Sequence, residues 1–254
     1  MATVRVRNLT IGEGMPKICV PIVGKTADEI LNEAANIREL GADLVEWRLD
    51  WFEGIDDTAQ SVAVAQELNE ALGPDLPLLC TIRTADEGGN SSLDAAEYCA
   101  LNKALIESGA VDLVDVELFL GDELMRELVA FAHDHDVAVV ASNHDFDATP
   151  ARDEIIARLT RMQDLGANIL KIAVMPQTNR DVIELLAATE EMASDHARQP
   201  IVTMSMGGAG SISRIAGEVF GSAITFGCAS QASAPGQIDV SNLRTLLSLL
   251  HESL

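Results

Sequence analysis

From Lys17 onward, short apolar runs alternate with amphipathic stretches, and most of those stretches close on a glycine. Apolar runs at 18–23, 44–49, 78–82, 113–118, 137–142, 169–174, 201–205 and 223–226 predict buried parallel strands. Between them the apolar positions recur at helical spacing. Thr26-Ala-Asp-Glu29 is a capping box, and Ile30, Leu31, Ala34, Ile37 and Leu40 follow on one stripe that Gly41 ends. Further helices are predicted over 58–72, 94–108, 121–133, 149–166, 179–193, 212–220 and 240–251, the one over 149–166 opened by Thr149 as cap and Pro150 at its first position. Residues 3–14, two extended pieces around Asn8 and Gly12, predict a small hairpin ahead of the series.

Eight strand–helix units at intervals of about 30 residues imply parallel pairing and closure into an α/β fold, the (β/α)8 or TIM barrel. Three helix-to-strand junctions echo one another: Glu39-Leu-Gly-Ala-Asp-Leu, Glu107-Ser-Gly-Ala-Val-Asp-Leu and Asp164-Leu-Gly-Ala-Asn-Ile. A doubly wound open sheet would more naturally carry a Gly-rich phosphate loop after the first strand, and Pro21-Ile-Val-Gly-Lys25 is not one. No linker or low-complexity segment divides the chain, so residues 1–254 read as one barrel domain, with 1–16 as its hairpin.

The net charge of −23 changes the picture of partners: an acidic coat repels phosphate, so neither nucleic acid nor an anionic membrane surface is expected to bind. It also invites the hypothesis of a salt-adapted source. No stretch approaches a membrane span and the N-terminus lacks a signal-like apolar region, so a cytoplasmic protein is expected. Cys19, Cys80, Cys99 and Cys228 are widely spaced and form no CxxC pair; reduced thiols are expected, without disulfide or metal site.

One residue breaks the apolar pattern. Lys171 stands inside Ile169-Leu-Lys-Ile-Ala-Val174, whereas Lys17, Lys25 and Lys103 have polar or turn-forming neighbours. A desolvated amine is a nucleophile for carbonyl carbon, which makes Lys171 a candidate Schiff-base lysine. The competing reading is a strand lysine that snorkels or pairs with a carboxylate. In a barrel, chemistry gathers at the C-terminal strand ends, and the polar groups predicted there are Glu46, Arg48 and Asp50; Arg83 and Glu87; Asp115 and Glu117; and His144. Asp50 divides evenly between a structural ion-pair ladder and ligand contact. His144 is a candidate general acid/base, or a satisfied structural histidine. Arg214, after Gly207-Gly-Ala-Gly210, suits an anion; those glycines could instead hold a phosphate. Met204 and Met206 could shield an imine or simply pack. The segment 229–237 suits a mobile lid or a plain connection.

Taken together, Glu46-Trp-Arg-Leu-Asp50, Thr81-Ile-Arg83, Asn143-His-Asp-Phe146, Leu170-Lys-Ile-Ala173, Met204-Ser-Met206-Gly and Ser233-Ala-Pro-Gly-Gln237 resemble, in order and spacing, the type I 3-dehydroquinate dehydratases of the shikimate pathway. The resemblance covers essentially the whole chain. It implies a barrel, usually a homodimer, that removes water from 3-dehydroquinate without metal or organic cofactor. By resemblance, Lys171 forms the imine, His144 moves the proton and Glu87 orients His144. Arg214, Ser233 and Gln237 match groups that hold the substrate carboxylate; Glu46, Arg48 and Arg83 match those that hold ring hydroxyls. Met204, Met206, Phe226 and Ala234 match apolar wall positions. Pro21 departs from the pattern, standing where a serine donor is often found. An arginine-rich mouth would help keep the lysine uncharged. The alternative activity is another class I Schiff-base barrel enzyme, an aldolase acting on a sugar phosphate held at Gly207–Gly210.

Overall fold

A computed structural model describes residues 3–229 and 233–254. A hairpin of β1 (Val4–Val6) and β2 (Leu9–Ile11) precedes the barrel. The barrel strands are β3 (Lys17–Ile22), β4 (Leu44–Arg48), β5 (Leu78–Thr81), β6 (Leu113–Glu117), β7 (Ala138–Asp145), β8 (Ile169–Val174), β9 (Ile201–Ser205) and β10 (Ile224–Cys228). All pair in parallel in chain order, and β10 returns to β3. The remaining seam, between β9 and β10, closes through a parallel bridge of Ile201 with Ser222 and a bond from Ala223 N–H to Ile201 O of 2.8 Å. A two-residue strand, β11 (Ile238–Asp239), adds to the end of β10 and was not foreseen from sequence.

The helix layer comprises α1 (Ala27–Glu39), α2 (Thr58–Leu72), α3 (Ala95–Glu107), α4 (Asp122–Asp134), α5 (Arg152–Asp164), α6 (Asn179–Glu191), α7 (Ser211–Ile215), α8 (Gly217–Phe220) and α9 (Val240–His251). Thr26 and Glu29 form the reciprocal cap foreseen for α1, a feature worth about 1 kcal/mol. Two expectations fail locally. Helix α5 starts at Arg152, capped by Ala151, because the Thr149 hydroxyl turns away to donate to Met175 O at 3.3 Å. The helix expected over 212–220 breaks at Ala216, where the chain draws Gly217 so close that a Cβ would meet Ser222 O at 2.8 Å.

Register places the chemistry. Paired residues share a face, and faces alternate along a strand. The lower interior layer is therefore apolar: Leu44, Leu79, Leu113, Val140, Ile169, Val202 and Ile224, sealed from below by Val6 and Ile11 of the hairpin. Two residues further up, the same face carries Glu46, Thr81, Asp115, Ser142 and Lys171. Burying Val6 and Ile11 contributes on the order of 2 kcal/mol per side chain and keeps water from reaching this polar layer from beneath. Arg7, at a left-handed φ of 51°, pins the hairpin through Asp112 Oδ1 (2.7 Å), Gly73 O (2.6 Å) and Asn69 Oδ1 (2.7 Å). Pro21 faces inward beside Glu46, beyond the last ladder pair of β3 with β10.

Candidate active site

At the upper end of the barrel, Glu46 and Arg48 point inward from β4, but Asp50 does not continue their row. It lies in a 3-10 turn (Leu49–Trp51) that folds back, so its carboxylate takes Arg48 Nε at 2.7 Å and Nη2 at 2.8 Å. Backbone N–H groups of Arg83 (3.4 Å) and Asn90 (3.1 Å) complete it. Asp50 is thus the ladder residue of its two readings: it holds Arg48 in one rotamer and does not line the pocket.

Arg83 is the hub of the next three strands. Its guanidinium donates to Asp115 Oδ1 (2.8 Å), Glu117 Oε1 (2.7 Å), Glu87 Oε2 (3.3 Å) and Ser142 Oγ (3.0 Å). Burial opposes its charge, yet Asp115, Glu117 and Glu87 outweigh that and raise its pKa. Burial likewise works against an ionised Asp115, but Arg83 and Lys171 more than offset it and hold the carboxyl below its ordinary value.

The longer β7 matters here. Its apolar run was expected over 137–142; the strand runs on to Asp145, which keeps His144, expected at the strand end, within the ladder opposite Ala173. Glu87 Oε2 accepts from both His144 N–H (3.0 Å) and His144 Nδ1 (2.9 Å). With the carboxylate ionised, the ring proton sits on Nδ1 and the Nε2 lone pair is free. Burial, with the positive charges of Arg83, Lys171 and Arg48, pushes His144 well below the usual histidine range, so its neutral form prevails near pH 7. Glu87 moves the other way: burial raises it to about 7, Arg83 pulling down and Glu117 pushing up.

Lys171 is 4% exposed. Its Nζ lies 3.5 Å from Asp115 Oδ2, 3.7 Å from Glu46 Oε1 and 4.6 Å from the centroid of Phe226. This corrects the expectation of a lysine among arginines. Arg48 and Arg83 spend their charge on carboxylates, and the groups nearest Nζ are anionic. The sequence conceals this because Asp115 and Glu46 meet Lys171 only through the register of β4, β6 and β8.

Arg214, on α7, is buried at 1% exposure and is placed quite differently. Nη2 donates to Pro235 O (3.0 Å) and Nη1 to Phe226 O (3.4 Å); among the described residues Nε has no partner and no carboxylate pairs with the side chain. Burial lowers its pKa to about 10. It lies just behind the pocket wall, in contact with Met204 and Phe226, and does not itself line the cavity. The carbonyl of Pro235 also takes Gly207 N–H at 3.1 Å, while Gly210 and Ser211 donate within the same turn, so these amides are occupied by the chain itself. Ser233 and Gln237 bond to each other at 2.9 and 3.0 Å over the mouth. Of the segment read as a lid, residues 230–232 lie outside the described residues.

The structure brings Glu46, Arg48, Arg83, Glu87, His144, Lys171, Met204, Met206, Phe226, Ser233, Ala234 and Gln237 around one narrow cavity of about 40 Å³. Gly88, Phe146 and Ala173 also line it and were missed. Ala173 could have been found, two residues beyond Lys171 on the same face. Gly88 takes a left-handed φ of 77°, and a Cβ there would strike the Phe146 ring at 2.4 Å, a contact no sequence pattern announces. Among the described residues no group of His, Cys, Asp and Glu could hold a metal ion, and no helix is long and apolar enough to cross a membrane. The four cysteines are unbonded.

The family model for type I 3-dehydroquinase matches residues 18–254. A 3-dehydroquinate dehydratase of Salmonella choleraesuis (strain SC-B67) is 53% identical over 253 residues, covering all of both chains. The type I 3-dehydroquinate dehydratase of Clostridium difficile, solved with covalently modified comenic acid, superposes with a TM-score of 0.97 at 50% identity, over 100% of this chain and 99% of that one. The 3-dehydroquinate dehydratase of Geobacillus kaustophilus HTA426 gives a TM-score of 0.95 at 42% identity, over 99% of this chain and 97% of that one.

Proposed function

The chain belongs to the type I 3-dehydroquinase family, and from that premise we propose which of its residues carry the conversion of 3-dehydroquinate to 3-dehydroshikimate. The enzyme is a hydro-lyase of the shikimate pathway. In the reading proposed, the neutral amine of Lys171 adds to the ring ketone, and water leaves with uptake of the proton that the ammonium had shed to the neighbouring carboxylates, giving an iminium. His144 Nε2 takes a proton from the adjacent carbon, and the electron pair is delocalised as an enamine. The enamine expels the β-hydroxyl, which leaves as water with the proton His144 carries. Hydrolysis of the conjugated imine then frees Lys171 and the product.

Glu87 keeps the proton on Nδ1 and so aims Nε2 at the substrate. Asp115 and Glu46 hold Nζ in place on the floor of the pocket and can share the proton that the amine must shed before it attacks. Glu46, Arg48 and Arg83 face the ring hydroxyls, and Met204, Met206, Phe226 and Ala234 exclude water from the imine. Arg214 supplies an unneutralised positive charge behind Met204 and Phe226, towards which the substrate carboxylate is drawn, with Ser233 and Gln237 closing from above. Pro21 offers no donor on the β3 side, which leaves that share of binding to the β9–β10 side. A homodimer in the cytoplasm, each chain one catalytic unit, is the expected working form.

The observation that carries this reading is the placement of a buried lysine and a neutral, carboxylate-oriented histidine on adjacent strands of one cavity. The product is a conjugated enone, so its ultraviolet absorbance follows the reaction directly. The expected result is a rise in absorbance with the wild type and none with Lys171→Ala; full turnover by Lys171→Ala would remove the lysine from the chemistry.

A further inference from the structure

Glu87 and His144 line not only the mouth but also a second cavity, of about 180 Å³, that opens on the outer side between Asp86, Phe119, Asn143 and Arg158. With open space on both sides, packing alone does not fix the Glu87 carboxylate; its hydrogen bonds must. Oxygen Oε2 has three donors: Arg83 Nη1, His144 N–H and His144 Nδ1. Oxygen Oε1 has one among the described residues, Asn143 Nδ2 at 3.1 Å. Losing that donor would let the carboxylate swing about its last torsion, which is broad for Glu.

An asparagine amide can present either end to Glu87, and a reversed amide would set oxygen against oxygen. What decides its orientation is Arg158, on α5, whose Nη1 donates to Asn143 Oδ1 at 2.9 Å. A guanidinium has only donors, so Oδ1 must face it and Nδ2 must face Glu87. Arg158 is itself held by Glu154 Oε1 at 2.7 Å, by Asp145 Oδ2 at 3.6 Å and over the ring of Phe119 at 5.2 Å. We infer that Arg158 is a positioning residue for the dehydration: through Asn143 it fixes the Glu87 carboxylate and thereby the tautomer and aim of His144. The inference rests on His144 being the base.

The charged groups around Glu87 are Arg83, Asp115 and Glu117 from β5, β6 and their ends, His144 and Asp145 on β7, Asp86 on its own turn and Arg158 from α5. Against this background the Asn143 donor favours the carboxylate, so its loss lifts the pH at which Glu87 ionises and moves the acid limb of kcat upward. The test compares Arg158→Ala, Arg158→Lys, Asn143→Ala and the Arg158→Ala/Asn143→Ala double variant. Expected are a fall in kcat of about 10-fold for Arg158→Ala with KM within about twofold, an acid limb displaced to higher pH, and partial recovery in Arg158→Lys. The double variant should be no slower than Asn143→Ala alone, because both act through one chain of bonds. Wild-type turnover by Arg158→Ala overturns the inference, as does a loss that adds fully to that of Asn143→Ala with the pH limb unmoved. Borohydride trapping with 3-dehydroquinate separates the two levels. An adduct at Lys171 in both wild type and Arg158→Ala is expected; absence of the adduct from wild type would sink the imine reading itself.

Discussion

The two sides of the barrel mouth solve opposite electrostatic problems. On the β4–β7 side every cation is answered: Arg48 by Asp50, and Arg83 by Asp115, Glu117 and Glu87, at distances of 2.7 to 3.3 Å. On the β9–β10 side Arg214 is as deeply buried, yet among the described residues it meets only carbonyl oxygens, a thioether and the apolar wall. A saturated network resists rearrangement and suits groups that must keep their aim during proton transfer. A buried cation without an anion suits a ligand that brings one. The difference teaches that similar burial of two arginines reports opposite duties, and that the partner list, not the burial, tells them apart.

The sharpest way to break this contrast is at the proton-transfer group. His144→Ala should lower kcat by roughly 10³-fold while imine still forms to some extent; unchanged turnover would detach His144 from the saturated side's purpose. The arginines come next. Arg83→Ala leaves Asp115, Glu117 and Glu87 buried without their counter-charge and should cost about 3–5 kcal/mol in denaturant unfolding. Arg214→Met should cost little stability, or add to it, since burial already weakens that cation. Its effect should instead be a rise in KM of about 10- to 100-fold, the loss of the charge that draws the substrate carboxylate. Equal stability losses for the two variants would erase the distinction.

A smaller effect comes from Glu87, whose folded-state pKa of about 7 lies above its unfolded value. Such a group contributes most when protonated, so its contribution is present below pH about 4.5 and is lost as pH rises through about 7. Glu87→Gln should therefore gain stability relative to wild type at pH 8, by about 1–3 kcal/mol, and the gain should shrink near pH 5. The variant should also lose the acid limb of kcat near pH 7. A stability difference that grows towards pH 5 would contradict the assignment. Smallest is the salt effect. An enzyme of net charge −23 repels a carboxylate substrate, so kcat/KM should rise about two- to fivefold from 10 to 200 mM salt. Indifference to salt would place the Arg214 side beyond reach of the surface charge.

Much of this was legible beforehand, and the reasons are physical. Eight apolar runs spaced by amphipathic stripes leave few folds other than a closed barrel, and barrel geometry then collects residues at strand C-terminal ends. Lys171 was visible because a charge in Ile169–Val174 breaks a simple rule. What sequence could not convey is pairing across strands. That Arg83 takes Asp115, Glu117 and Glu87 while Arg214 takes no acid among the described residues follows from register and from the turn carrying Glu87, and neither leaves a mark in composition. The same blindness put arginines around Lys171 where carboxylates stand. Asp50 divided between ligand contact and ion-pair ladder because its turn back onto Arg48 begins one residue after the strand ends.

The central claim is that Lys171 becomes covalently joined to the substrate. Wild-type enzyme mixed with 3-dehydroquinate and reduced with borohydride should lose activity and carry the reduced ligand's mass on the peptide containing Lys171. An unmodified Lys171 peptide in inactivated enzyme, or the added mass on Lys17, Lys25 or Lys103, would contradict the account.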